Sequence, residues 1–182
     1  MFVGRLIWEK GIKEFIEAAK AINKKYPEVR FQILGFGAGT LKNSVPVETV
    51  EEWKKDKSIE FLGGTHDVRS FLDKVSCLVL PSYREGISRV LMEAAAMELP
   101  IVTSDTTGCR EVINNGETGF LAEVANSKSL ENAMLKVIEM GHEERENFGK
   151  KGRKKAEEEF SEPRIIEYYR IVLNKYLKNH NA

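Results

Sequence analysis

Two carboxylates, Glu85 and Glu93, are separated by seven residues in the stretch Pro81-Ser82-Tyr83-Arg84-Glu85-Gly86-Ile87-Ser88-Arg89-Val90-Leu91-Met92-Glu93-Ala94. The stretch reads as a tight glycine-containing turn followed by an apolar helix. Glu85 then sits in the turn, and Glu93 lies more than a turn into the helix, on a side that can face the same crevice. A carboxylate accepts two hydrogen bonds from a pair of neighbouring hydroxyls, so two such groups suit the diols of a ribose or hexose. Between them, the backbone N–H groups of Gly86, Ile87, Ser88 and Arg89 point outward with the positive end of a helix dipole, a seat for phosphate. Glu93 is surrounded by Leu91, Met92, Ala94, Ala95 and Ala96. Burying it without a ligand or partner would cost several kcal/mol, unless it lies on the exposed stripe of an amphipathic helix. Both readings of Glu93 remain open at this level.

These residues need a scaffold that brings strand ends together. Short apolar runs at residues 2–6, 30–34, 59–62, 77–80, 101–103 and 119–121 are apolar on both faces, as central parallel strands are. Amphipathic stretches lie between them. In residues 10–26, Ile12, Phe15, Ile16, Ala19 and Ile22 recur at helical spacing opposite lysines and glutamates, and residues 68–75, 87–97 and 130–140 continue the alternation. The expectation is an α/β, Rossmann-like, doubly wound parallel sheet of about six strands with helices on both faces, formed as one domain over residues 1–182. In such sheets ligands collect at the carboxyl ends of the strands. After Ala125 no strand is expected. Residues 143–159, dense in charge with Gly149 and Gly152 among them, read as a solvated helical face. Ser161-Glu162-Pro163 then starts a last helix, residues 161–178, with Ile165, Ile166, Tyr169, Val172, Leu173, Tyr176 and Leu177 on one side.

Composition narrows the function. Lysine plus arginine equals aspartate plus glutamate at 28 each, which removes the global basic field of nucleic-acid binders. The two cysteines, Cys77 and Cys109, fit no metal spacing and no disulfide framework, which suits a reducing, cytoplasmic setting. No apolar run approaches the roughly 20 residues needed to span a bilayer. No Asp-x-Asp pair stands at a strand end, so no metal site is expected. The glycine cluster Gly35-Phe36-Gly37-Ala38-Gly39 follows the second strand and reads as turn geometry. His66 is paired by nothing in the sequence with a nucleophile or orienting acid, so it reads as a loop histidine facing solvent.

The Glu85 to Glu93 segment resembles the Glu-seven-residues-Glu motif of the group 1 glycosyltransferases, a retaining family of the two-domain GT-B architecture. Phe2-Val3-Gly4-Arg5-Leu6 with Glu9-Lys10-Gly11 resembles the opening of that family's second domain, and Leu34-Gly35-Phe36-Gly37 its next strand end. Ile59-Glu60-Phe61-Leu62-Gly63, Leu80-Pro81-Ser82, Leu99-Pro100-Ile101-Val102 and Gly116-Glu117-Thr118-Gly119-Phe120-Leu121 follow in the family's order. Ile87 and Ser88 depart from the phenylalanine and proline that often follow the Glu-Gly pair, a departure that bears on the sugar pocket's shape.

The resemblance implies a chain that is the nucleotide-sugar-binding, C-terminal half of such an enzyme, with an N-terminal acceptor domain missing and the last helix packing toward it. Arg5 and Lys10 would clamp the donor's diphosphate, beside Gly4. Glu85 would contact the transferred sugar and Glu93 the ribose, with backbone donors from Gly86, Ile87, Ser88 and Arg89. The base would lie near the loop containing Gly63 and His66, and Cys109 would sit as an exposed thiol in a helix start lining the crevice. No cofactor is implied beyond a nucleoside-diphosphate sugar, UDP-sugar favoured over GDP-sugar, and the acceptor is a glycan or lipid-linked sugar. The setting implied is cytoplasmic, with the full-length enzyme peripheral at the inner face of the membrane. Two other readings stand beside this one: an epimerase-like half-enzyme on the same fold, and a non-catalytic interaction module.

Overall fold

The computed structural model describes residues 1–40 and 42–180. Six parallel strands, β1 (Phe2–Val3), β2 (Phe31–Leu34), β3 (Ile59–Gly63), β4 (Leu78–Leu80), β5 (Ile101–Ser104) and β6 (Gly119–Ala122), form one sheet in the order β3-β2-β1-β4-β5-β6. All six fall on the runs expected from sequence. β1 is the shortest because the chain leaves the ladder at Gly4, yet Met1 still extends its pairing with β4: the Met1 amine donates to Cys77 O at 2.8 Å, and Met1 O accepts from Val79 N at 2.8 Å.

Helices α1 (Ile12–Asn23), α2 (Val47–Trp53), α3 (Arg69–Leu72), α4 (Arg89–Ala96), α5 (Ser127–Glu139), α6 (His142–Phe160) and α7 (Glu162–His180) cover both faces of the sheet. α1 packs on α5, and α4 packs on α6. The core is continuous from Phe2 and Phe15 through Leu78, Leu80 and Leu91 to Leu130. Helix α2 had no counterpart in the sequence reading; it is seven residues long, and of its side chains only Val50 is buried, so its apolar signal is short.

Residues 142–160 form the expected helix but carry more than a solvated face. Phe148, Gly149, Gly152 and Ala156 are buried along it. Gly149 lies so close to the turn after α4 that an added Cβ would come within 1.8 Å of Glu98 O. Gly149 therefore allows α6 to approach that turn closely, while Gly152 faces Thr118 at ordinary contact distance. In α7, by contrast, Ile165, Ile166, Tyr169, Val172, Leu173, Tyr176 and Leu177 are all exposed. Among the described residues no helix is long and apolar enough to cross a membrane.

Where β1 hands over to α1, a short 3-10 turn (Trp8–Lys10) ends at Gly11, whose φ of 70° is left-handed. An added Cβ there would fall 2.0 Å from Pro81 O, at the carboxyl end of β4. Gly11 thus lets the segments after β1 and β4 touch. Gly11→Ala should lower unfolding free energy by roughly 2–4 kcal/mol, from left-handed strain plus the backbone clash, as read from urea denaturation; a loss under about 0.5 kcal/mol, the range of an ordinary surface change, would contradict this contact.

Candidate functional site

The strand order reverses its winding between β1 and β4, so the connections after these two strands leave in opposite directions and open a crevice at their carboxyl ends. Into it project the segment after β1, carrying Arg5 and Lys10, and the turn after β4, carrying Arg84, Glu85 and Gly86. The cleft measures about 260 Å³ and is lined by Arg5, Ile7, Glu9, Lys10, Arg84, Glu85 and Gly86. A larger cavity of about 400 Å³ lies at the opposite edge, among Met1, Arg30, Lys74, Cys77 and Arg145. That edge holds the amino ends of the strands, where backbone and helix termini do not converge on a ligand.

Backbone contacts set the cleft's walls. Tyr83 N donates to Glu9 O at 2.7 Å, and Ser82 Oγ to the same oxygen at 3.1 Å. On the other side, Gly4 N donates to Leu34 O and Leu6 N to Phe36 O, so the end of β2 carries the segment after β1. The loop after β5 braces the turn from below: Thr106 Oγ1 donates to Tyr83 O at 3.3 Å, and a Cβ at Gly108 would come within 2.1 Å of Gly86 O.

Charges inside the cleft are partly matched. Lys10 Nζ and Glu85 Oε1 form an ion pair, with side chains only 19% and 12% exposed. Arg84 reaches Glu9 at 3.4 Å, and Asn43 also hydrogen-bonds Glu9. Arg5 is exposed on the rim and, among the described residues, forms no ion pair. Three cations therefore face two acids, which leaves one positive charge to meet an anion.

Glu93 stands apart from this lining. Its side chain is 29% exposed and accepts from Arg89 Nε at 2.9 Å, one helical turn earlier. The Arg69 guanidinium, held charged above its usual range mainly by hydrogen bonding to Asp67, also feels the charge of Glu93. Of the two readings left open for Glu93, the structure matches the open stripe of α4, with the side chain partly exposed and Arg89 over it. Gly63, which ends β3, and His66, in the loop after it, are exposed.

Two expectations are corrected. The Ser88 N–H is not free for a ligand, since it donates to Gly108 O at 3.1 Å. The close approach of Gly108 to Gly86 draws that carbonyl under the helix start. Gly86 and Ile87 keep their N–H groups without a backbone partner among the described residues, and Ile87 is exposed. Cys109 is not an exposed thiol but is fully buried, and burial pushes it up to about 11. The chain from Asp105 turns inward and buries Val112 in a 3-10 turn (Arg110–Val112), which carries Cys109 under the site. The glycines after β2 behave as expected, with Gly37 and Gly39 at positive φ and Thr40 bonded back to Gly37 O.

Sequence reasoning missed Glu9 and Arg84 as lining residues, although each adjoins a residue that it did select, Lys10 and Glu85. It also missed Tyr83 Oη donating to Glu14 Oε1 at 2.7 Å. Glu14 lies at the edge of the apolar face of α1, a position that reads as surface until Tyr83 covers it.

Comparison with known proteins agrees with this architecture. The capsular polysaccharide biosynthesis glycosyltransferase CapM of Staphylococcus aureus is 32% identical over 177 residues, covering 97% of this chain and 46% of its own length. The chain thus spans about half the length of the curated relatives it matches. A crystal structure of an S. aureus TarM variant in complex with UDP, fondaparinux and alpha-GlcNAc-glycerol superimposes with a TM-score of 0.81 at 25% identity, covering 95% of this chain and 34% of that one. The C-terminal domain of a group 1 glycosyl transferase from Francisella tularensis shares the fold with a TM-score of 0.77 at 23% identity, and the match covers 88% of this chain and 85% of that one. The profile of the glycosyl transferases group 1 family matches residues 1–155, and the chain belongs to that family, with the fold of a GT-B half-domain.

Proposed function

We propose that the chain binds a nucleoside-diphosphate sugar as the donor half of a retaining glycosyltransferase. The observation that carries this reading is the cleft at the winding reversal, where Arg5 and Lys10 come from one strand end and Glu85 from the next. Arg5, Lys10 and the N–H groups of Gly86 and Ile87 receive the diphosphate, whose charge grows as it leaves. Glu85 gives up its bond to Lys10 and takes hydroxyls of the transferred sugar. Glu93 exchanges Arg89, an exposed partner held weakly, for the ribose diol. Gly63 and His66 border the base, Gly4 and Arg89 border the phosphates, and Ser88 serves through its buried position at the helix start.

The transfer itself is positioning and charge stabilisation. The bond from the sugar's anomeric carbon to the phosphate oxygen breaks while the acceptor oxygen bonds that carbon on the same face. The acceptor's proton passes to the departing phosphate oxygen, which accounts for retention without a protein nucleophile. UDP is favoured as the leaving group because the TarM structure is described with UDP. The acceptor, a glycan or lipid-linked sugar, belongs with a second domain, in keeping with coverage of only 46% of CapM. The exposed apolar side of α7 is the surface that this domain would cover. A cytoplasmic enzyme peripheral at the inner membrane face fits capsule assembly, which is the role named for CapM.

Gly86 adds a specific support. An added Cβ there would meet nothing within 4 Å, and its φ is not left-handed. The protein's own packing thus leaves this side of the turn open for a ligand.

Calorimetric titration with UDP tests the reading. The chain should bind UDP, and Lys10→Ala and Glu93→Ala should each weaken binding by on the order of 1–3 kcal/mol through lost charge-assisted hydrogen bonds. Absence of UDP binding by the folded chain would refute the proposal, and unchanged affinity in Glu93→Ala would remove that residue from the site. Gly86→Val should leave thermal stability within about 0.5 kcal/mol while abolishing measurable UDP binding. With a sugar donor and acceptors supplied, this polypeptide alone should show no turnover, and robust transfer would contradict the assignment of the acceptor site to another domain.

A further inference from the structure

Glu14 is the one charged side chain among the described residues that is buried, at 6% exposure. Its Oε1 accepts from Tyr83 Oη at 2.7 Å, and its Oε2 has no partner. Retaining a carboxylate there is expensive, since a neutral or apolar residue would fill the same place at less cost. The first turn of α1 offsets part of that cost, because the helix dipole favours an acid there. Burial and the bond to Glu14 hold the Tyr83 hydroxyl protonated well above its usual range, so it remains a donor throughout the physiological range.

The placement of the pair is informative. Glu14 follows Lys10 by four residues, and Tyr83 precedes Glu85 by two. Their bond therefore ties together the two segments whose charged tips meet as Lys10 and Glu85. The backbone bonds from Tyr83 N and Ser82 Oγ to Glu9 O fix the base of the turn. They hold Ser82 and Tyr83 to the segment before α1 and give the turn no anchor to α1 itself. A charge-assisted hydrogen bond from a rigid aromatic side chain supplies one, with little rotamer freedom to lose.

We propose that Glu14 and Tyr83 are positioning residues for the donor site: their hydrogen bond sets the Glu85 turn against the first turn of α1, and so sets the spacing at which Lys10 and Glu85 meet the donor. This inference rests on the donor-site reading above. Neither residue touches the ligand.

The test titrates UDP into the parent chain, Lys10→Ala, Tyr83→Phe and the double variant Glu14→Leu/Tyr83→Phe, far below each melting midpoint. Tyr83→Phe strands both oxygens of Glu14, so its midpoint should fall and UDP affinity should drop roughly tenfold, as a loosened site does. The double variant removes the stranded acid. Its midpoint should recover, but its affinity should stay as low as that of Tyr83→Phe. Parent-like affinity in Tyr83→Phe, with Lys10→Ala impaired, overturns the positioning role while leaving the donor site standing. Recovery of affinity together with stability in the double variant overturns it as well, since the pair would then act through stability alone. If Tyr83→Phe does not fold, the double variant decides by its affinity. A parent chain that binds no UDP overturns the donor-site reading and this inference with it.

Discussion

A parallel sheet that winds outward from its centre in both directions cannot close the gap beyond the carboxyl ends of its two innermost strands, and here that gap lies above β1 and β4. Each side of the gap presents charge: cations from the segment after β1, and an acid flanked by a glycine from the turn after β4. The Lys10–Glu85 pair bridges the two banks. It makes half-burial of both groups tolerable, because each desolvated charge has a partner. The surrounding contacts serve this bridge. Gly11 admits Pro81 O, Gly108 admits Gly86 O, and Glu9 O receives two bonds from the turn.

Much of the scaffold was legible because central parallel strands and amphipathic helices leave different periodicities. Residues 31–34 and 101–104 are largely buried on both faces, whereas Ile12, Phe15, Ala19 and Ile22 mark one face of α1. Helix α2 was not legible, since a seven-residue helix with a single buried side chain leaves almost no period. Gly149 and Gly152 were hidden for another reason: within a charged run they read as part of a solvated face, and only the neighbouring Glu98 and Thr118 show that they are contact points.

The site was legible in its membership more than in its state. Arg5, Lys10 and Glu85 were selected by motif and do converge. That Lys10 is paired with Glu85, that Glu93 lies outside the cleft under Arg89, and that Ser88 N–H is spent on Gly108 O depend on contacts between distant residues. Residue spacing along the chain carries no record of these. The burial of Cys109 is of the same kind, for it follows from the inward path of the loop after β5.

The engagement of Ser88 N–H has one more consequence. Many phosphate seats rely on a full ring of helix-terminal amides, which measure an anion's shape as well as its charge. In the proposed donor site that ring would be short of one member, and the balance would fall to Arg5 on the rim and Lys10 within the cleft. A lysine ammonium in that role would grip as a point charge, by Coulomb attraction more than by geometry. Its hold on a polyphosphate should therefore fade as ionic strength rises, and it should tolerate tails of differing length, leaving fine discrimination to the groups at either end of the ligand.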